Sequence, residues 1–179
     1  DYEQRREDIR EWNCSSPVLR RGIALTPVKF GISFTSTLLN QAGALVNVYK
    51  DGSVHLNHGG TEMGQGLYIK VAQVVADELG IAVSEVKITA ADTSKVPNAS
   101  ATAASSGADM NGKAAQAAAR KIRQRLTEYV CKRLSVSEHA VEFAAGTVRV
   151  GEREFPFAEI VQMAWAARVS LSATGFYKT

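Results

Sequence analysis

The sequence predicts an α+β fold, mixed sheets with helices packed on them, from three observations. A tight-turn signal, Asp51-Gly52, separates two apolar alternating runs at 44–49 and 54–57. Two runs of small residues, 58–66 and 99–107, each empty into a segment of helical periodicity. Beyond Leu134 the texture changes to short alternating runs punctuated by glycine.

Composition narrows the class. The 179 residues are 45% hydrophobic and 22% charged. No apolar run approaches the roughly 20 residues a membrane span needs, so a transmembrane role is excluded. The net charge of +3 arises from 21 basic and 18 acidic residues, with the excess around Arg20-Arg21 and from Lys113 to Arg133. So mild an excess, with 7% aromatic residues to stack on bases, argues against nucleic acid and reads as a solvated helix face. Cys14 and Cys131 lie far from each other and from His55, His58 and His139, which rules out a local metal cage or a disulfide framework. With no signal peptide, a reducing cytoplasm is expected. The chain lacks an initiator methionine and ends on a strand-like run, Gly175 to Thr179, and is read as an internal piece of something longer.

In chain order, residues 1–12 carry Ile9 and Trp12 at helical spacing, giving a short surface helix that ends before Ser15-Ser16-Pro17. Residues 1–19 are thus an N-terminal helix and linker, and 20–179 form the main body. Arg20 to Phe34 alternates Ile23, Leu25, Val28, Phe30, Ile32 and Phe34 and reads as strand bent at Pro27, with a bulge at Gly31. The 44–57 hairpin runs into His58-Gly-Gly-Thr-Glu-Met-Gly-Gln-Gly66, and a helix follows from Leu67 with Val71, Val74, Val75 and Leu79 on one face. Gly80-Ile81 closes it as a left-handed cap. Val83 to Ala90 reads as strand and Asp92 to Asn98 as polar loop. Ala99 to Gly107 then enters a helix of about 25 residues with Met110, Ala114, Ala118, Ile122, Leu126 and Val130 inward. The 20–134 region therefore repeats strand, small-residue loop and helix. Residues 135–179 add a meander (141–143, 147–150, 154–157), a short helix over 158–167 and a terminal strand over 169–177.

Small-residue loops at helix N-termini offer free N–H donors and the positive end of a macrodipole, which suits phosphate or another anion. Neither loop has the spacing of a P-loop or of a dinucleotide fingerprint, so a structural turn and a ligand site both stay open. Gln65, flanked by glycines, has donors and an acceptor with which to read a ligand. Glu62 is favoured as a dipole-compensating or capping carboxylate over a catalytic one. His58 is favoured as a packing or hydrogen-bonding histidine over a metal ligand. Ser105 and Ser106 are favoured as caps or contacts over nucleophiles, because no His-Asp pair is available to activate them.

Lys29 to Phe34, Leu39 to Ala44, Asp51 to Val54, Gly59 to Gly66, Val96 to Asn98, Thr102 to Ser105 and Ser170 to Tyr177 together closely resemble the xanthine dehydrogenase family of molybdenum hydroxylases, in the molybdopterin-binding large subunit of its bacterial form. The resemblance covers nearly all of the chain from Arg21 onward. It implies a partial molybdopterin-binding domain over 20–179, in which Met63, Gly64, Gln65 and Gly66 contact the pterin. Thr102, Ala103, Ala104, Ser105, Ser106 and Gly107 would lie beside the molybdenum, with Ala103 and Ala104 near metal and substrate. It further implies a purine substrate, water as the oxygen source, and electron transfer through iron–sulfur clusters and FAD in other domains or subunits to NAD.

The family's Gly-Gly-x-Phe-Gly-Gly-Lys, Phe-Arg-Gly-Phe-Gly and Val-Gly-Glu-Pro-Pro segments are not in this sequence. Val150-Gly151-Glu152 continues with Arg153 and belongs to a meander turn. The resemblance therefore implies no catalytic residue and no metal ligand in this chain, and no turnover by the 179 residues alone. At Gly107 some relatives carry serine, so backbone would replace a side-chain contact there. The alternatives are another molybdenum hydroxylase, such as an aldehyde oxidase, and a non-catalytic interaction domain whose glycine loops are only turns.

Overall fold

A computed structural model describes residues 1–29, 31–96 and 99–179. The chain divides into two compact units, Asp1–Gly31 and Ile32–Thr179. In the first, helix α1 spans Tyr2–Ser15 and buries no residue. The Asn13 amide braces its end by donating to Arg21 O and accepting from Arg21 N–H, and the Arg21 guanidinium lies 4.0 Å over the Trp12 ring. The strand expected over Arg20 to Phe34 does not form among the described residues, nor does a bulge at Gly31. Alternation is present, but Leu25 and Val28 are both exposed and no neighbouring strand pairs with them. Phe30, Pro97 and Asn98 lie outside the described residues, and with them part of two stretches that carry the family resemblance.

The second unit is α+β, as expected, with one mixed and one antiparallel sheet. Strands β1 (Gln41–Val48) and β2 (Val54–His58) form the expected hairpin, with Gly52 at φ 88° in its turn. Helix α2 (Leu67–Leu79) buries Leu67, Val71, Val75 and Leu79. It ends in the expected left-handed cap: Gly80 N–H donates to Asp77 O, and Ile81 N–H to Ala76 O. The strand expected over 83–90 contracts to β3 (Val86–Ile88), because only Val54 to Leu56 of β2 face it, in parallel register, while Val83–Glu85 wind into a 3₁₀ turn.

Helix α3 (Gly107–Leu134) presents Met110, Ala114, Ala118, Ile122, Leu126 and Val130 inward, every one buried. The meander β4 (Val141–Ala144), β5 (Thr147–Val150), β6 (Arg153–Pro156) and helix α4 (Phe157–Ala166) follow. Strand β7 (Ser172–Lys178) returns to pair antiparallel with β1, so the main sheet runs β3-β2-β1-β7.

The basic face of α3 is more than a solvated surface. Lys121 Nζ donates to Thr174 O, and Arg125 donates to the carbonyls of Ser170 and Ser172, so cations cover the outer edge of β7. Arg120 and Arg123 reach the buried carboxylate of Glu78 at 3.0 and 3.4 Å, and Gln116 donates to it as well. Glu78 sits on α2, so this network clamps the C-terminal half of α2 to α3. The two helices that carry the small-residue loops are thereby fixed side by side.

Candidate functional site

The two loops meet where α2 and α3 begin. Thr61 N–H donates to Thr102 Oγ1 at 2.8 Å, a bond across 41 residues of sequence that ties one loop to the other. Beneath it Gly60 is enclosed: a Cβ there would come within 2.5 Å of Leu67 Cδ2, 2.8 Å of Asn111 Nδ2 and 3.1 Å of His58 Nδ1. Only glycine lets β2, α2 and α3 approach so closely at that point.

Glu62 caps, as expected. Oε1 accepts from the N–H groups of Gly64 (2.9 Å) and Gly66 (3.0 Å), and Oε2 from Tyr68 (3.0 Å). These donors, Tyr68 foremost, hold its carboxyl below the usual carboxylate range. The two helix entrances, alike in sequence, are therefore not equivalent. At α2 Glu62 answers the Gly66 and Tyr68 N–H groups and places its charge at the positive end of the dipole. At α3 the N–H groups of Gly107, Ala108 and Asp109 find no acceptor among the described residues.

Gln65 is also more committed than expected. Its Nε2 donates to Thr61 O at 2.8 Å and its Oε1 accepts from Met63 N–H at 2.6 Å, so the amide braces its own loop. One N–H of the exposed side chain remains. Ser106 is buried, and its hydroxyl donates back to Ala103 O at 3.0 Å, so it does not cap α3 with its side chain as expected. Ala104 and Ser105 adopt φ of 53° and 54°, a left-handed pair of non-glycine residues of the kind that clusters at ligand sites. Ala104 O accepts from Ser33 N–H at 3.0 Å, anchoring the bend to a third segment.

Met63, Gln65, Thr102, Ala103, Ser105 and Gly107 line a cleft of about 350 Å³ together with Leu67, Lys70 and Ala108. Gly64 and Gly66, at φ 96° and 74°, shape the turn without lining it, and Ala104 and Ser106 support the second loop from outside the cleft. Lys70 was not singled out from sequence. Its signal was there, a cation one helical turn after the last loop glycine, on the face away from Val71 and Val75.

His58 ends β2 under the first loop. Nδ1 accepts from Gly60 N–H at 3.1 Å, and the ring meets Tyr68 edge-to-face at 5.2 Å. Burial lowers its pKa from 6.5 to about 4, with the Glu62 charge opposing. Asn111 donates to Gly107 O at 2.9 Å. The buried Nε2 of His58 and Oδ1 of Asn111 have no partner among the described residues.

A family model described as a molybdopterin cofactor-binding domain matches residues 1–179. The chain belongs to that family. It is 44% identical over 182 residues to a xanthine dehydrogenase of Blastobotrys adeninivorans, covering 100% of this chain and 12% of that protein. To a nicotinate hydroxylase of Emericella nidulans it is 46% identical over 179 residues, covering 99% of this chain and 12% of the relative. The solved quinoline 2-oxidoreductase from Pseudomonas putida 86 matches with a TM-score of 0.68 and 27% identity, over 78% of this chain and 19% of that one. These findings bear out the resemblance to molybdenum hydroxylases of the xanthine dehydrogenase type. This molybdopterin cofactor-binding chain spans about 12% of the length of the curated relatives it matches.

Proposed function

We propose that the chain forms one wall of the molybdopterin pocket in the molybdenum subunit of a xanthine dehydrogenase. In this reading the complete protein converts hypoxanthine and xanthine to urate, with water as oxygen source. Electrons leave through iron–sulfur clusters and FAD, held by other domains or subunits, to NAD. The carrying observation is the joining of the two loops through Thr61 and Thr102 beside a cleft that opens at an unanswered helix N-terminus.

The cleft's donor set fits the cofactor. The Gly107–Asp109 N–H groups and the Lys70 ammonium suit its phosphate, and the remaining N–H of Gln65 suits the polar pterin edge. Ala103 presents only a methyl group to the cleft, where metal and substrate would approach, and Ala104 supports the bend behind it. Met63, Leu67 and Ala108 supply apolar walls that limit water. When bound, the cofactor supplies the redox and oxygen-transfer chemistry. The chain's own residues bind and orient it, and the Val-Gly-Glu-Pro-Pro segment, whose glutamate the family resemblance implies as the catalytic base, is not in this sequence. Among the described residues no helix is long and apolar enough to cross a membrane. Both cysteines are free, which suits the cytoplasm.

The test is Gln65→Ala in the complete protein, with lower molybdenum content or slower urate formation expected. Unchanged metal content and rate would remove Gln65 from the pocket. The 46% identity to a nicotinate hydroxylase favours a second reading, in which the pocket is the same and the substrate differs. Assays with purines, nicotinate and aldehydes separate xanthine dehydrogenase from nicotinate hydroxylase and aldehyde oxidase.

A further inference from the structure

We propose that His58 is a positioning residue: its neutral ring, protonated on Nε2, holds the glycine loop in place by accepting the Gly60 N–H on Nδ1. The tautomer follows from the donor. A backbone N–H points at Nδ1, so Nδ1 carries no proton and the ring proton sits on Nε2.

That leaves Nε2–H buried in a ring only 2% exposed, without an acceptor among the described residues. An unpaired buried donor costs more than a single amide hydrogen bond returns, so His58 is a poor device for stability alone. An apolar ring of similar size would pack against Tyr68 without that cost. What such a ring cannot do is fix the Gly60 amide. Gly60 is the residue at which β2, α2 and α3 converge, and the carbonyl of the next residue, Thr61, anchors the Gln65 amide. A shift at Gly60 therefore reaches both the Thr61–Thr102 bond and the Gln65 brace.

The consequence for cofactor retention rests on the pocket reading; the consequence for the loop does not. The test compares His58→Phe and His58→Asn in the complete protein, by hydrogen–deuterium exchange of peptides covering 59–66 and by molybdenum content. Phe keeps the ring and loses the acceptor, whereas Asn Oδ1 can take the place of Nδ1. In the Phe variant, loop exchange at least ten-fold faster is expected, with β1 and β2 peptides unchanged and metal content reduced. Asn should restore loop protection. Phe-variant exchange equal to wild type, or Asn as loose as Phe, overturns the proposal. A loosened loop with full molybdenum content upholds the positioning role and counts against the pocket reading. Loosening of the Phe variant that extends through the β1 and β2 peptides assigns His58 to fold stability and overturns the positioning role.

Discussion

Replacing Gly60 by alanine probes the point where the site's three elements meet. The added methyl must displace Leu67 Cδ2 at 2.5 Å and Asn111 Nδ2 at 2.8 Å, and it presses His58 Nδ1 at 3.1 Å. The Leu67 methyl can turn, but Leu67 is 2% exposed and its surroundings are packed. Overpacking of this kind costs about 1–3 kcal/mol. Moving Asn111 endangers its bond to Gly107 O, worth about 1 kcal/mol more. The expected loss is roughly 2–4 kcal/mol, a fall of about 1–2 M in the urea midpoint at an unchanged slope. Gly64→Ala is the control, because no atom lies within 4 Å of its Cβ position and only its φ of 96° is at issue. That backbone cost is about 1–2 kcal/mol. A Gly60→Ala midpoint within 0.2 M or so of wild type, or a smaller effect than Gly64→Ala, would refute the packing argument.

Thr102→Val removes the acceptor for Thr61 N–H while Thr102→Ser keeps it, so Val should cost about 1 kcal/mol and speed exchange at Thr61, with Ser near wild type. Gly80→Ala combines a φ of 67° with a Cβ 2.5 Å from Phe143 O and 2.6 Å from Ala144 N, both backbone, and should cost roughly 3 kcal/mol or more in thermal or urea unfolding. His58 sets a pH dependence. Its pKa is 6.5 when unfolded and about 4 when folded, so the unfolded chain takes up a proton that the folded ring refuses because it is buried, the Glu62 charge opposing that effect only in part. Stability is fully present above pH 6.5 and falls between there and about 4, by at most roughly 3 kcal/mol. The difference between wild-type and His58→Phe unfolding free energies across that window isolates the effect, and a flat difference would contradict it.

Local grammar carried much of the fold. Asp51-Gly52, Gly80-Ile81 and the i, i+4 series from Met110 to Val130 each encode an element through a short-range rule, and each forms. Among the described residues of Arg20 to Phe34 no strand forms, because alternation shows that a segment can be a strand without showing that a partner exists. At the site, the residues were legible but their commitments were not. Glu62 and Gln65 were visible as polar groups among glycines. That one seals α2 and the other braces its own turn depends on a loop path that spacing does not record. The Thr61–Thr102 bond and the Glu78 clamp join residues about 40 positions apart, beyond any periodicity.

The structure of the complete protein with its cofactor bound is the most direct measurement. The pocket reading predicts the pterin phosphate within hydrogen-bond distance of the Gly107–Asp109 N–H groups and near Lys70, with Gln65 turned to the pterin edge. Cofactor density elsewhere, with the cleft between Met63 and Ala108 filled by solvent, would contradict it.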